Sequence, residues 1–144
     1  DPIACEKNYN MIKKNNEENL LPLLFDLTNP SPSIGWANKE RLDISGRQIP
    51  DVIMGLAIIH HIAISNNVPL VKIAEYFSSM SKYLIIEFVP KEDSQVQKLL
   101  ATREDIFPNY TVEGFEEAFS QCYSILEKQN VVNSERILYL LKAI

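Results

Sequence analysis

A chain of 144 residues with 46% hydrophobic and 23% charged residues falls in the range of one folded α/β-sized domain and outside that of disordered or fibrous chains. Its 14 Lys plus Arg against 19 Asp plus Glu leave a formal charge of -5, so the overall field repels polyanions and gives no signal for nucleic acid or an anionic membrane surface. Cys5 and Cys122 sit in separate helical patterns without a CxxC, and His60 and His61 are adjacent, which excludes a disulfide framework and a metal-site spacing and makes a reducing, cytoplasmic setting the expectation.

Asp1-Pro2 is a helix start: the Asp side chain can accept from an orphan N–H, and Pro suits the first helical position. The predicted helix runs from Pro2 to about Lys14 with a weak apolar stripe of Ala4, Tyr9, Met11 and Ile12. A chain that opens in this way without Met is expected to be a processed or partial one. Leu20 to Leu27, apolar except for Asp26 and interrupted by Pro22, reads as a buried strand. Asn29 to Pro50 holds enough Pro and Gly for a long loop, with a short helix over Ala37 to Leu42.

Asp51 to Ile59 (DVIMGLAII) is apolar on both alternating faces after the Asp, the pattern of a central parallel strand, and it is far short of the ~20 residues that span a bilayer. It runs into His60 and His61. Pro69 opens a helix whose Leu70, Ile73, Ala74 and Phe77 recur at i, i+3, i+4 and i+7. Tyr83 to Val89 (YLIIEFV) is a third apolar strand, broken only by Glu87. Ser94 to Arg103 makes a short helix on Val96, Leu99 and Leu100, and Thr111 caps another with Phe115, Ala118, Phe119 and Cys122 on one side. Tyr123 to Glu127 and Glu135 to Leu141 (ERILYLL) close the chain as strands joined without a helix, hence antiparallel.

This alternation predicts one α/β domain over 1–144, built on an open and mostly parallel sheet with a C-terminal antiparallel pair. In such sheets ligands bind at the carboxyl ends of strands, where this chain places Asp26, then His60 and His61, then Glu87. Asp26 is either a ligand contact or the cap of its own turn. If the His pair continues a strand, its side chains point to opposite faces, one structural and one facing a cleft. Glu87, a carboxylate inside an apolar strand, either serves chemistry or makes a buried structural bond.

The stretches LLPLLFDLTNPSPSIGW, PDVIMGLAIIHHIAISNNVPL and KYLIIEFVPKEDSQVQKLL, with the closing strand pair, resemble the second half of class I S-adenosylmethionine-dependent methyltransferases, in particular bacterial nodulation-related ones. The resemblance implies a three-layer Rossmann-like sheet that lacks the family's first two strands, the strand at Leu20 being the third. It implies that Asp26 and the Leu27 N–H receive the adenine, that Asp1 is an imperfect stand-in for the ribose-binding acid, and that His60, His61 and Glu87 approach the reacting groups. S-adenosylmethionine is the implied cofactor, in the complete protein, with an unknown methyl acceptor. The family's glycine-rich turn is missing: Gly35, Gly46, Gly55 and Gly114 form no GxG. In the family's strand order, 3-2-1-4-5-7-6, the loss leaves bare strand edges through which copies of the chain are expected to associate. A noncatalytic interaction domain on the same scaffold is the alternative. A phosphate-loop nucleotide enzyme is disfavoured because GxxxxGK[ST] does not occur.

Overall fold

The computed structural model describes residues 1–47 and 49–144; Gln48, in the expected Asn29–Pro50 loop, lies outside the described residues. The chain divides into two compact units, Asp1–Ile44 and Ser45–Ile144.

The first unit is organised locally. Helix α1 (Pro2–Asn15) starts where Asp1 Oδ1 accepts from the N–H of Ile3 at 2.8 Å, and it stops at Asn16, which takes a left-handed turn at φ 52°. None of its residues is buried. The Cys5 thiol donates to the carbonyl of Leu23 at 3.3 Å. The expected strand Leu20–Leu27 does not form; the segment is irregular, with Leu21 74% and Leu24 67% exposed. An apolar run becomes a strand only where a neighbour takes up its N–H and C=O groups. None of the described strands pairs with it. The expected helix over Ala37–Leu42 is a single 3-10 turn, Trp36–Asn38, because Ala37 and Asn38 both take positive φ, and an isolated antiparallel bridge joins Ile34 to Arg41.

The second unit carries the sheet. Its elements are β1 (Val52–Gly55), a π-helical turn (His61–Ser65), α2 (Leu70–Met80), β2 (Tyr83–Phe88), α3 (Ser94–Leu100), α4 (Val112–Ser120), β3 (Tyr123–Asn130) and β4 (Ile137–Ala143). The strand order is β1-β2-β4-β3, an open mixed sheet. β1 and β2 run parallel, Val52 opposite Tyr83, and β4 lies antiparallel to both β2 and β3. One parallel pairing against two antiparallel ones corrects the expectation of a mostly parallel sheet. It follows from the insertion of the closing hairpin's second strand between β2 and β3.

β1 is shorter than the sequence pattern suggests and forms an edge of the described sheet, with Val52 43% and Met54 61% exposed. It ends at Gly55 because Ala57 takes φ 50°, a left-handed conformation that an extended strand cannot continue through. Helix α2 buries the predicted Leu70, Ile73, Ala74 and Phe77 and packs against α4, whose Phe115, Ala118 and Phe119 are buried. The aromatic rings of Phe88, Phe115, Phe119 and Tyr139 form the centre of the core, with ring centroids 4.2 to 5.2 Å apart in successive pairs. The start of α4 is a close fit: Thr111 Oγ1 accepts from the Gly114 N–H at 3.0 Å, and a Cβ on Gly114 would collide with the Asn109 carbonyl oxygen. Among the described residues no helix is long and apolar enough to cross a membrane.

Candidate functional site

The carboxyl ends of β1 and β2 and the start of β4 meet at one end of the sheet, since Phe88 pairs with Ile137 and Gly55 with Ile86. Four elements bring ionisable side chains there. Glu87 comes from β2, Asp93 from the N-cap of α3, Arg136 from the residue before β4, and His60 with His61 from the turn after β1.

Arg136 links the acids. Its Nε donates to Asp93 Oδ2 at 2.7 Å, and its Nη1 lies 3.6 Å from Glu87 Oε1, an ion-pair distance. The other Glu87 oxygen, Oε2, accepts from the backbone N–H of Ala57 at 2.7 Å. Asp93 Oδ1 caps α3 by accepting from the Gln95 N–H at 2.8 Å. The Arg136 guanidinium holds the Asp93 carboxyl below the usual carboxylate range, and the Gln95 N–H adds to this; Asp93 in turn raises Arg136. The side chains of Glu87, Asp93 and Arg136 are 13%, 12% and 24% exposed, so the cluster is half-withdrawn from water but not sealed.

His60 is 1% exposed and its Nδ1 is buried without a hydrogen-bond partner, whereas His61 is exposed, their ring centroids 4.2 Å apart. Burial pushes the His60 pKa down to about 4, with the charges of His61 and Arg136 acting in the same direction. His60 is therefore neutral at physiological pH. The pair stands in a helical segment, not at the end of a strand, which corrects the alternation argument. Residues one apart on a helix still point in different directions, and the split into one buried and one exposed ring arises from that geometry.

Beyond the cluster, Tyr110 is 3% exposed, donates to the Val89 carbonyl at 2.8 Å and has its hydroxyl pKa pushed up by burial. A separate cavity of about 670 Å³ lies between α2, α4 and the loop at 106–111, lined among others by Val68, Leu70, Phe107, Tyr110, Glu113 and Glu117. Neither His60, Glu87 nor Arg136 lines it.

Of the six residues singled out in the sequence, His60, His61 and Glu87 come together here, while Asp1, Asp26 and Leu27 belong to the first unit. Asp26 Oδ1 accepts from the Thr28 N–H at 2.9 Å and the Thr28 hydroxyl at 2.8 Å, and these bonds lower its pKa. This is the geometry of a turn cap. Asp1 Oδ1 is used by the first turn of α1, and Leu27 is half-buried. Nor do Gly35, Gly55 and Gly114 open a cradle for an adenosyl or carboxypropyl group: a Cβ on Gly55 would meet Ile58 at an ordinary 3.4 Å, and those on Gly35 and Gly114 would strike their own turns. The residues described in this chain do not by themselves fit S-adenosylmethionine.

Sequence reasoning singled out neither Asp93 nor Arg136, and the more telling omission is Arg136. Its signal was a cation opening the apolar strand that follows the hairpin, but only the β2–β4 register shows that this cation meets Glu87.

No protein-family model matches the chain. It is similar to the nodulation protein NoeA of Rhizobium meliloti (strain 1021), 42% identical over 139 residues, which cover 96% of this chain and 29% of that protein. The chain thus spans under a third of the length of the relative that it matches.

Proposed function

We propose that this chain is the C-terminal portion of a bacterial, nodulation-related methyltransferase that uses S-adenosylmethionine in its complete, cytoplasmic form. The observation that carries the reading is the strand order β1-β2-β4-β3, with β4 reversed against both its neighbours. It corresponds to 4-5-7-6, the second half of the order implied by the resemblance. The likeness to NoeA supports the nodulation setting. In this reading the irregular Leu20–Leu27 segment becomes a strand only when its neighbours are supplied, and Asp1, Asp26 and Leu27 contact the cofactor only there.

The methyl acceptor approaches the end of the sheet at His60 and His61. His61, exposed beside the sheet end, orients the acceptor or takes its proton, and neutral His60 supports it through ring contact. Cofactor binding belongs to the whole protein, because the sequence holds no GxG turn and the carboxylates of Asp1 and Asp26 are taken up by their own turns. Calorimetry with S-adenosylmethionine on this chain and on a form extended upstream tests the proposal. Tight binding by the extended form alone is expected. Binding by neither favours the noncatalytic interaction domain, a reading that draws on the saturation of Glu87 and Asp93 by Arg136 and backbone N–H groups.

A further inference from the structure

We infer that Glu87 is a positioning residue: its carboxylate, faced by Arg136, pins the backbone N–H of Ala57 and so fixes where the helical segment bearing His60 and His61 begins. The importance of the two histidines rests on the proposed function, but the device itself is argued from the fold.

Both Glu87 oxygens are already directed. Oε2 accepts from Ala57 at 2.7 Å and Oε1 faces Arg136 at 3.6 Å, which leaves no oxygen aimed at an unoccupied space as proton transfer would require. The group it holds needs holding. Ala57 is an L-residue at φ 50°, where a Cβ is costly, and the chain does not use the glycine that stands two positions earlier. Such strain persists only where the surroundings over-determine it, and the charge-assisted bond from β2 does this across 30 residues of sequence.

The far end of the same segment is held in a parallel manner. Arg103 donates to the Ile64 carbonyl and, at 2.6 Å, to Asn67 Oδ1. A single π-helical turn lies between the two anchors, and its own Ile62, Ala63 and Ile64 are buried. π turns in otherwise regular folds commonly aim side chains at functional sites. One anchor alone would leave the turn free to relax toward ordinary α geometry and rotate both imidazole rings.

Amide hydrogen exchange by NMR on the 144-residue chain tests the device without any cofactor. Failure to bind S-adenosylmethionine therefore does not touch its outcome. In Glu87→Ala, exchange at Ala57 should accelerate roughly 10-fold or more beyond any change at the Leu141 amide in β4, as loss of one charge-assisted bond implies. In Glu87→Gln, whose amide oxygen can still accept, protection at Ala57 should stay within about threefold of the parent, and the His60 and His61 ring resonances should stay near their parent positions. An unchanged Ala57 rate in Glu87→Ala overturns the inference. Should Glu87→Ala fail to fold, Glu87→Asp, which keeps the charge but is one methylene short of the Ala57 N–H, decides: an Ala57 rate no faster than in the parent overturns the inference, and an Ala57 rate raised beyond that of Leu141 supports it. In the extended protein, Glu87→Gln that abolishes transfer with Ala57 still protected would make Glu87 a proton-transfer group instead.

Discussion

The unit Asp1–Ile44 and the unit Ser45–Ile144 differ in how they use apolar residues. In the first, Leu20, Leu21, Leu23, Leu24 and Phe25 stand side by side in sequence, yet all are exposed, and none of the unit's residues is buried. Its order comes from hydrogen bonds that span at most 18 residues: the Asp1 cap, the Asp26 turn, the Ser33 hydroxyl donating to Asp43 at 2.9 Å, and the Cys5 thiol donating to Leu23. In the second, buried rings and aliphatic side chains from α2, α4 and the sheet pack on one another, and charged groups lock the chain over gaps of 30 to 43 residues. A dense apolar run is thus no predictor of a core by itself. The difference lies in whether paired strands and covering helices are available to take up the run.

The largest effect that would sharpen this contrast comes from emptying the core. Phe115→Ala removes a ring that is 0% exposed and stacked between Phe88, Phe119 and Tyr139, and should cost about 3 to 5 kcal/mol in urea denaturation. Leu21→Ala, at a side chain of the same chemical class, should stay within about 0.5 kcal/mol. Comparable losses at the two sites would break the comparison and show that the Leu20–Phe25 run is packed in solution.

Next in size is the long-range charge lock. Arg136→Met leaves Asp93 and Glu87 without their shared cation and should destabilise the second unit by roughly 1.5 to 3 kcal/mol. The Asp93 carboxyl should then titrate closer to its ordinary range, since the guanidinium is the main cause of its depression. Carbon-detected NMR titration reads this directly. A stable variant with an unmoved Asp93 would mean that the cluster is held by the backbone alone.

A smaller effect is set by pH. His60 has a folded pKa of about 4 against an ordinary 6.5, so between these values the unfolded chain binds the extra proton. The contribution of neutral His60 is complete above about pH 6.5 and is lost as pH falls toward 4. The carboxylates Asp93 and Glu116 have lowered values and titrate below this window, so stability measured from pH 7 to 5 isolates the histidine. His60→Gln should flatten that slope. An equally steep decline in the variant would assign it to another group.

The second unit was largely legible in sequence because its patterns are long and periodic. The i, i+3, i+4, i+7 series at Leu70, Ile73, Ala74 and Phe77 specifies the buried face of α2, and the helix-free link between the last strands dictates their antiparallel pairing. What escaped was set by partners distant in the chain. Asp51–Ile59 shows nothing to stop a strand, yet β1 ends at Gly55, because the Glu87 carboxylate supports a left-handed Ala57 that local preference would not select. The histidines were therefore placed at the right end of the sheet by the wrong geometry. For Asp26 both alternatives were visible, and the Thr28 bonds are those of the turn cap.

Asp26 also yields the smallest expected effect. Among the described residues its carboxylate bonds within its own turn, and Asn at this position retains an oxygen that can accept from the Thr28 N–H. Asp26→Asn should leave the thermal midpoint of the chain unchanged, because no packed element depends on that turn. The same substitution in the upstream-extended protein separates a turn cap from a cofactor contact. If the segment pairs as a strand there and Asp26 receives the adenine amino group, affinity for S-adenosylmethionine should fall roughly two- to tenfold, the range expected when a charged acceptor is replaced by a neutral one, at constant midpoint. An unchanged affinity would confine Asp26 to its turn in both forms. A lowered midpoint in this chain would show instead that the first unit depends on long-range packing, erasing the contrast between the two units.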